Sequence, residues 1–199
     1  MLNILLAGIG GQGTVLAAKL LAQTALTRGW QVRTAETIGM AQRGGNVTSH
    51  VRMGDQGEQV QAPLLAKGTA DLVIAFEPGE AARCQEYLSP TGTLVTASTA
   101  IQPVTSALSS AAYRSQDVCE GIRASLEGGE AKLVVVDDVR IMEQVGNRKA
   151  LNVVLLACAL SQADVPLTLD DLREAVRQCV KPRFVEMNLA AIDVAAMGV

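Results

Sequence analysis

Residues 5–21, LLAGIGGQGTVLAAKLL, decide how the whole chain is interpreted. Gly8, Gly10 and Gly13 match the pattern G-x-G-x-x-G, between an apolar run that predicts a buried strand and a segment with helical spacing. In such a turn the first glycine permits the tight bend, the second lets the backbone approach an anion, and the third lets the helix pack on the sheet. The stretch therefore predicts a strand-to-helix turn that cradles an anion.

The motif alone leaves open what this glycine turn, residues 8–13, would bind. The N–H groups and positive dipole end of a helix attract any phosphate or carboxylate, so a nucleotide, coenzyme A or a substrate carboxylate would fit equally well. A dinucleotide fold also requires an acid about 20 residues further on, where Glu36 stands. The remaining interpretation is that the glycines only pack a strand against a helix and hold no ligand.

The order of the apolar segments predicts the fold class. Six runs have strand character, and helix-length segments separate most of them: LNILLA, WQVRTAE, NVTSHVRMG, DLVIAF, GTLVTAS and AKLVVVD. This alternation predicts one α/β domain over residues 1–199, with an open, mostly parallel, Rossmann-like sheet and helices on both faces. The run NVTSHVRMG alternates polar with apolar residues and follows its predecessor too closely for a crossover helix. We therefore expect it to be an antiparallel strand at a sheet edge.

Helical spacing is clearest after the glycine turn and in the last third of the chain. The first helix is expected to direct Val15, Leu16, Leu20 and Leu21 toward the sheet. A second helix is expected to begin near Pro78. Residues 98–116, rich in Ser, Thr and Ala, predict a loop. Beyond residue 137 the spacing predicts helices over 147–162, 168–179 and 184–197.

The charge balance argues against a nucleic-acid partner. The 199-residue chain has a formal net charge of -3, and its 17 Lys and Arg residues are scattered rather than clustered. The N-terminus lacks the basic region of a signal peptide, and the longest strongly apolar segment, 151–160, is about half of the roughly 20 residues that a membrane span requires. We therefore expect a soluble, cytoplasmic chain with no membrane partner.

Metal chemistry is not predicted for this chain. Its four cysteines include no C-x-x-C pair, the usual local signature of a zinc site or an iron–sulfur cluster: Cys84, Cys119, Cys158 and Cys179. They are interpreted as isolated, mostly buried thiols. The lone His50 is expected on a polar strand face, with no role as a ligand or a general base.

A second glycine-rich segment is a candidate for binding. The stretch ETIGMAQRGGNVTSHVR, residues 36–52, carries Gly39, Gly44 and Gly45, with Gln42 and Arg43 at the expected tip of a loop. This composition is suited to closing over a ligand or docking on another subunit. The alternative is that Arg43 is a solvated loop charge.

Polar residues also follow the strand DLVIAF. Glu77 comes directly after it and so lies at its carboxyl end, where ligands of open α/β sheets collect. We therefore assign Glu77 to a second wall of the same crevice. Glu80 and Arg83 are instead expected to form an exposed pair near a helix N-terminus.

Five segments in order carry a resemblance to a known family: GIGGQG, ETIGMAQRGG, SHVRMGD, ADLVIAFEPGEAAR and VGNRKALNVVLLACAL. Together they resemble the gamma-type domain of the 2-oxoacid:ferredoxin oxidoreductases, and the form GMAQRGG most resembles the beta subunits of the indolepyruvate enzymes. The resemblance extends over nearly the whole chain, including KPRFVEMNLAAID near its end, and is weakest over 98–130.

The resemblance implies a division of labour between subunits. A thiamine diphosphate with Mg, held by another subunit, decarboxylates the 2-oxoacid; iron–sulfur clusters pass the electrons to ferredoxin; and coenzyme A receives the acyl group. This chain alone would bind none of these cofactors and carry no catalytic residue and no metal. Its partners would be the thiamine-diphosphate and iron–sulfur subunit and, through that subunit, ferredoxin.

The resemblance also gives the glycine turn a role. In the favoured hypothesis the coenzyme A or substrate side of a shared active site is bordered by Gly8, Gly10, Gly11, Gln12, Gly13, Arg43, Gly44, Gly45 and Glu77. A second hypothesis is that the turn and the loop grip the catalytic subunit. The substrate suggested is indolepyruvate or another aryl pyruvate. The alternatives are a gamma subunit for 2-oxoglutarate, pyruvate or 2-oxoisovalerate, and a free-standing NAD-binding protein that uses Glu36.

The C-terminal segment predicts a helix with two apolar stripes. One stripe is Val185, Leu189, Ile192 and Ala196, and the other is Phe184, Met187, Ala191 and Val194. Because this is too much apolar perimeter for one covered face, we expect one stripe to pack on the sheet. The other would be buried by the catalytic subunit or by a second copy of the chain in a homodimer. The alternative is that neighbouring terminal helices cover both.

Overall fold

The structure is a computed structural model that describes residues 1–39, 45–101 and 113–198. Within them the strands form one six-stranded sheet in the order β2-β3-β1-β4-β5-β6. The strands are β1 (Leu2–Ile9), β2 (Gln31–Ile38), β3 (Asn46–Gly54), β4 (Ala70–Ala75), β5 (Leu88–Ala97) and β6 (Lys132–Val136). Strands β1, β4, β5 and β6 run parallel to one another. Strand β3 is antiparallel to both of its neighbours, β1 and β2.

Helices cover both faces of the sheet, which confirms the predicted fold class. The described helices are α1 (Thr14–Thr27), α2 (Pro78–Cys84), α3 (Ser115–Leu126), α4 (Asp138–Val145), α5 (Leu151–Gln162), α6 (Leu169–Cys179) and α7 (Pro182–Gly198). Helices α1 and α5 lie on one face, with α4, α6 and α7 packed on them, while α2 and α3 lie on the other face. Short 3-10 turns, Gln85–Tyr87 and Arg148–Ala150, follow α2 and precede α5.

The central strands are apolar on both faces because both faces are buried. In β1, Ile4 and Leu6 belong to the core beneath α1 and α5, and Leu5 and Ala7 belong to the core beneath α2 and α3. All four side chains are fully buried. Burying one such leucine or isoleucine stabilises the fold by about 1.5–3 kcal/mol. The continuous apolar runs in the sequence follow from this double burial.

Strand β3 is antiparallel as predicted, but the expectation that it lies at the edge is wrong, since β2 forms the edge. Its polar side chains are covered by the segment that follows it rather than by water. His50 is buried, and its Nδ1 accepts a hydrogen bond from the backbone N–H of Leu65 at 3.2 Å. Arg52 donates to Asn3 Oδ1 at 3.0 Å and to the carbonyl of Ala62 at 2.9 Å. Burial lowers the pKa of the His50 imidazole, so this residue is a neutral structural acceptor.

The first turn of α1 faces away from the core, contrary to expectation. Leu20 and Leu21 are fully buried as predicted, but Val15 is 47% exposed and Leu16 is 38% exposed. Small residues of the next turn, led by Ala17, take the sheet-facing positions instead. The helix phase is set by these close-packed alanines, so its N-terminal turn presents two apolar side chains to the outside.

The helices predicted beyond residue 137 are confirmed, but the packing expected for α7 is wrong. Instead of lying on the sheet, α7 packs on α4, α5 and α6. Its buried positions include Ala191, Ile192 and Ala195. Val185, Met187, Leu189 and Val194 pack partly buried against the same core. Members of both predicted stripes are thus covered by the domain's own helices, while Met197 is 80% exposed.

The cysteines are isolated, as predicted. Cys84, Cys119 and Cys158 are buried, Cys179 is partly buried, and all four are free thiols. Burial raises the pKa of Cys84 to about 11 and that of Cys158 to about 12, which keeps both as unreactive thiols. Among the described helices, none has the length and apolar character that crossing a membrane requires.

Candidate functional site

The glycine turn has the backbone conformation that the motif predicts. Gly11 has φ of +104° and Gly13 has φ of +85°, the left-handed region that favours glycine. Gly13 is the N-cap of α1, so no side chain caps this end, and the first turn of the helix carries no acidic residue. The first N–H groups of α1 therefore have no intrahelical or side-chain capping partner, and the positive end of its dipole is not compensated locally.

Close packing holds the turn between β1 and β4. A Cβ on Gly8 would lie 2.8 Å from Thr14 Oγ1 and 3.1 Å from Phe76 Cβ, so a side chain cannot be accommodated there. Gln12 Oε1 accepts from the backbone N–H of Ile9 at 2.7 Å, and Gln12 Nε2 donates to the carbonyl of Phe76 at 3.2 Å. The Gln12 side chain thus links the carboxyl ends of two neighbouring strands.

A crevice of about 420 Å³ opens at this edge of the sheet. It lies beside β1, which has β3 on one side and β4 on the other. Open α/β sheets bind ligands at such a switch point in the strand order. Its volume is within the usual range for a small-molecule site. The lining residues are Gly11, Gln12, Gly13, Leu16, Phe76, Thr99, Ile101, Asp138, Arg148, Lys149, Leu151 and Asn152.

Positive charge reaches this crevice from two directions. The uncapped N-terminus of α1 lies on one side, and Arg148 and Lys149, in the 3-10 turn before α5, line another part of it. Asn147 fixes that turn, because its side chain accepts a hydrogen bond from the backbone N–H of Lys149 at 3.0 Å. An anion in the crevice could therefore be stabilised by backbone N–H groups and by two cationic side chains together.

One buried carboxylate lies in the same crevice. Asp138, the first residue of α4, is only 1% exposed. Its Oδ1 accepts three hydrogen bonds at 2.9 Å, from the backbone N–H groups of Ser98 and Thr99 and from the Ser98 hydroxyl. These bonds tie the end of β5 to the start of α4, so Asp138 is held rigidly among cationic neighbours.

The loop between β2 and β3 contacts the glycine turn through Gly45. The N–H of Gly10 donates to the carbonyl of Gly45 at 2.9 Å. Across the same loop the N–H of Gly39 donates to the carbonyl of Asn46 at 2.8 Å. Arg43 and Gly44 lie outside the described residues. Of the predicted binding loop, the structure thus brings Gly45 into contact with the turn.

Glu77 is engaged in capping α2. It is 3% exposed; its Oε1 accepts from the backbone N–H of Glu80 at 2.7 Å and its Oε2 accepts from the hydroxyl of Tyr113 at 3.2 Å. Glu80 pairs with Arg83 as expected, but Glu80 itself is 2% exposed, so the prediction of an exposed pair is wrong. Burial raises the pKa of the Glu80 carboxyl, and the pair joins successive turns within α2.

Glu36 does not stand where a dinucleotide ribose would be. It pairs with Ser49 of β3, and Ser49 pairs with Leu6 of β1. Two strand spacings, about 10 Å, therefore separate Glu36 from β1. In a dinucleotide fold the strand that carries the acid lies next to the first strand, and here the antiparallel strand β3 takes that place. The geometry gives the NAD-binding alternative no support.

Sequence reasoning missed four polar residues of the crevice, Thr99, Asp138, Arg148 and Lys149. Two signals were present in the sequence. Two acids, Asp137 and Asp138, follow the apolar run KLVVV, and a basic pair follows Asn147 just before an apolar helix. Both positions lie at the carboxyl edge of the sheet, which becomes apparent only when the strand order is known.

The fold and this crevice define an α/β protein with a glycine turn and a crevice at the switch point of its sheet. A family model described as pyruvate ferredoxin/flavodoxin oxidoreductase matches residues 3–197. The chain belongs to this family, which confirms the family predicted from the five segments. Indolepyruvate oxidoreductase subunit IorB from Archaeoglobus fulgidus is 36% identical over 191 residues, or 96% of this chain and 92% of that protein.

Solved structures share the fold at lower identity. The gamma subunit of keto/oxoacid ferredoxin oxidoreductase from Geobacter sulfurreducens is 21% identical, with a TM-score of 0.71 over 100% of this chain and 98% of that one. A 2-oxoglutarate:ferredoxin oxidoreductase from Magnetococcus marinus, solved with 2-oxoglutarate, coenzyme A and succinyl-CoA bound, is 17% identical. Its TM-score is 0.70 over 100% of this chain and 31% of that longer chain.

The close approach of Gly13 to α5 gives a stability prediction. Gly13→Ala should lower the free energy of unfolding by about 2 kcal/mol, because alanine is strained at φ of +85° and its Cβ would lie 3.0 Å from Asn152 Nδ2. Gly11→Ala is the matched control, since a Cβ there meets nothing within 4 Å and only the backbone strain of about 1 kcal/mol remains. Chemical denaturation of the full chain measures both changes.

The same experiment in an Asn152→Ala background separates strain from crowding. With Asn152 truncated, the cost of Gly13→Ala should fall toward that of Gly11→Ala, because the crowding contribution disappears. Equal costs for the two glycine substitutions in both backgrounds would contradict this account of the turn.

Proposed function

We propose that this chain, as a single gamma-type domain over residues 1–199, is the small, cluster-free subunit of a cytoplasmic 2-oxoacid:ferredoxin oxidoreductase of the indolepyruvate type. The whole enzyme decarboxylates a 2-oxoacid oxidatively to an acyl-CoA and passes the electrons to ferredoxin. Within the described residues, no group of three or more His, Cys, Asp or Glu side chains is placed to hold a metal ion. In this proposal thiamine diphosphate, Mg and the iron–sulfur clusters therefore belong to the catalytic subunit.

The role proposed for this chain is to bind the phosphate part of coenzyme A beside the shared active site. The observation that carries the proposal is the convergence of the uncapped N-terminus of α1 with Arg148 and Lys149 in one crevice. Phosphate oxygens match this set of donors. The long pantetheine arm of coenzyme A separates its thiol from its phosphates, so an anchor here leaves the thiol free to reach chemistry on another subunit. The bound coenzyme A described for the Magnetococcus marinus relative is consistent with this role.

In the proposal the predicted turn residues serve this site in different ways. Gly11 and Gly13 leave room for a close anion, while Gly8 and Gln12 fix the turn that presents it. Gly10 connects the turn to Gly45, and Arg43 and Gly44 remain candidates for a charged cover. Glu77 supports the edge of the site by capping α2.

The choice of 2-oxoacid is proposed to lie mainly with the catalytic subunit. This chain has only two Phe, two Tyr and one Trp, and Phe76 is the one aromatic residue among those lining the crevice. Indolepyruvate or another aryl pyruvate is proposed from the similarity to the IorB subunit.

A second role, in assembly, is favoured by one observation. Val15, Leu16 and Ile101 expose apolar surface, and the last two also line the crevice. Exposed apolar side chains around a binding site are typical of a surface that another protein covers. The partner would be the thiamine-diphosphate and iron–sulfur subunit or a second copy of the chain.

Removing the two crevice cations tests the coenzyme A role. In the complex reconstituted with the catalytic subunit, Arg148→Ala combined with Lys149→Ala should weaken coenzyme A binding at least tenfold, because charge-assisted hydrogen bonds to phosphate are lost. Titration calorimetry measures the affinity. Lys67→Ala is the control, since Lys67 is an exposed lysine that pairs with Glu86 outside the crevice. The complex that carries this variant should bind coenzyme A with the affinity of the wild type.

Size-exclusion chromatography of the same samples separates binding from assembly. Unchanged coenzyme A affinity in the double variant would contradict the proposed anchor. Loss of complex formation with coenzyme A affinity retained in whatever complex remains would instead favour the assembly role.

A substrate series tests the proposed subfamily. The reconstituted wild-type complex should show a higher kcat/KM for indolepyruvate and phenylpyruvate than for pyruvate and 2-oxoglutarate, measured by reduction of ferredoxin. Since only the substrate assignment depends on this ratio, a preference for 2-oxoglutarate would replace the indolepyruvate proposal and leave the family unchanged.

A further inference from the structure

Asp138 has an unused acceptor inside the crevice. Its Oδ1 is saturated by Ser98 and Thr99, but its Oδ2 is buried and has no hydrogen-bond partner within the described part of the chain. Buried carboxylate oxygens are almost always hydrogen-bonded, so an unpartnered one indicates a donor from outside the described part of the chain, such as a ligand.

Thr99 adds a second polar atom of the same kind. Its Oγ1 is also buried without a partner among the described residues, and Thr99 lines the crevice together with Asp138. The two residues are held next to each other, because the Thr99 backbone N–H donates to Asp138 Oδ1 at 2.9 Å. The crevice therefore contains an anion cradle at α1 and the 3-10 turn, and an acceptor pair at the start of α4.

We propose that Asp138 Oδ2, assisted by the Thr99 hydroxyl, accepts a hydrogen bond from an O–H or N–H group of the ligand whose phosphates occupy the cradle. The inference deepens the proposed function and rests on it. It identifies the ligand class as a phosphate ester that carries a hydroxyl, amino or amide donor near its phosphates. A bare carboxylate or a sulfate offers no such donor at neutral pH and is repelled by the Asp138 charge.

This arrangement makes Asp138 a specificity residue. Arg148 and Lys149 attract any anion, whereas the Asp138 carboxylate stabilises only an anion that also carries a hydrogen-bond donor. Coenzyme A satisfies both conditions, because its ribose, adenine and pantetheine groups carry hydroxyl, amino and amide donors beside its phosphates. Sulfate, which carries no proton at neutral pH, satisfies only the first.

Asp138→Asn tests the inference with the least disturbance. An asparagine oxygen at the Oδ1 position can still accept the three hydrogen bonds from Ser98 and Thr99, while its amide group replaces the free acceptor by a donor. In the reconstituted complex we expect coenzyme A to bind about tenfold more weakly, since a hydrogen bond is lost and a donor faces a donor. Binding of sulfate should be no weaker, because the cradle is intact and one negative charge has been removed.

Thr99→Val is the second variant, and it decides the question if Asp138→Asn does not fold. Valine keeps the shape of threonine and the backbone N–H that donates to Asp138, and removes only the hydroxyl. Coenzyme A affinity should fall several-fold, with sulfate affinity unchanged. Thermal unfolding of each variant complex checks that the fold is retained.

The outcomes separate this inference from the proposed function. Wild-type affinity for coenzyme A in both variants, with the Arg148 and Lys149 double variant still impaired, would overturn the inference and leave the proposed function standing. Equal weakening of coenzyme A and sulfate would also overturn it, because Asp138 would then act only on the shape of the crevice. If the wild-type complex bound neither probe, the proposed function would fail and the inference with it.

Discussion

The close packing of the glycine turn between β1, β4 and α5 is the constraint on which the site depends. Gly8 faces Thr14 and Phe76, Gly13 faces Asn152, and a Cβ at either position would crowd these neighbours. Because Gly13 then serves as the N-cap, the end of α1 receives no side-chain cap, and its N–H groups are directed into a crevice instead. The packing that fixes α1 on the sheet thus leaves the positive end of its dipole uncompensated. This end lies at the edge of the sheet where the loops that follow the parallel strands are found.

The antiparallel strand β3 explains why a dinucleotide-type motif accompanies a different site. By occupying the place next to β1, it moves β2 and Glu36 to the edge of the sheet. The covering segment after β3 then hydrogen-bonds His50 and Arg52 as structural polar groups rather than leaving a groove for a ribose. What remains of the dinucleotide architecture is the glycine turn, and the crevice beside it is also lined by Arg148, Lys149 and Asp138 from the C-terminal half of the chain.

Local sequence patterns predicted the layers of the fold well. Strands buried on both faces have continuous apolar runs, and the long helices have apolar residues at helical spacing. They failed where a neighbour distant in sequence decides the outcome. The polar face of β3 suggested a strand at the sheet edge, but residues 60–65 cover that face. Val15 and Leu16 suggested contacts with the sheet, but the alanines of α1 determine which side of the helix faces it. The glycine half of the site was predicted from one motif. Its charged half could not be, since nothing in the local sequence says that Asp138 and Arg148 meet Gly13 across the sheet edge.

The central claim is that the crevice beside the glycine turn binds the phosphates of coenzyme A. The most direct measurement is an experimental structure of this chain assembled with its catalytic subunit in the presence of coenzyme A. The account expects phosphate oxygens within hydrogen-bond distance of the first backbone N–H groups of α1 and of Arg148 or Lys149. Side chains of the catalytic subunit filling the crevice, with coenzyme A bound elsewhere, would contradict it and would make the turn an assembly surface.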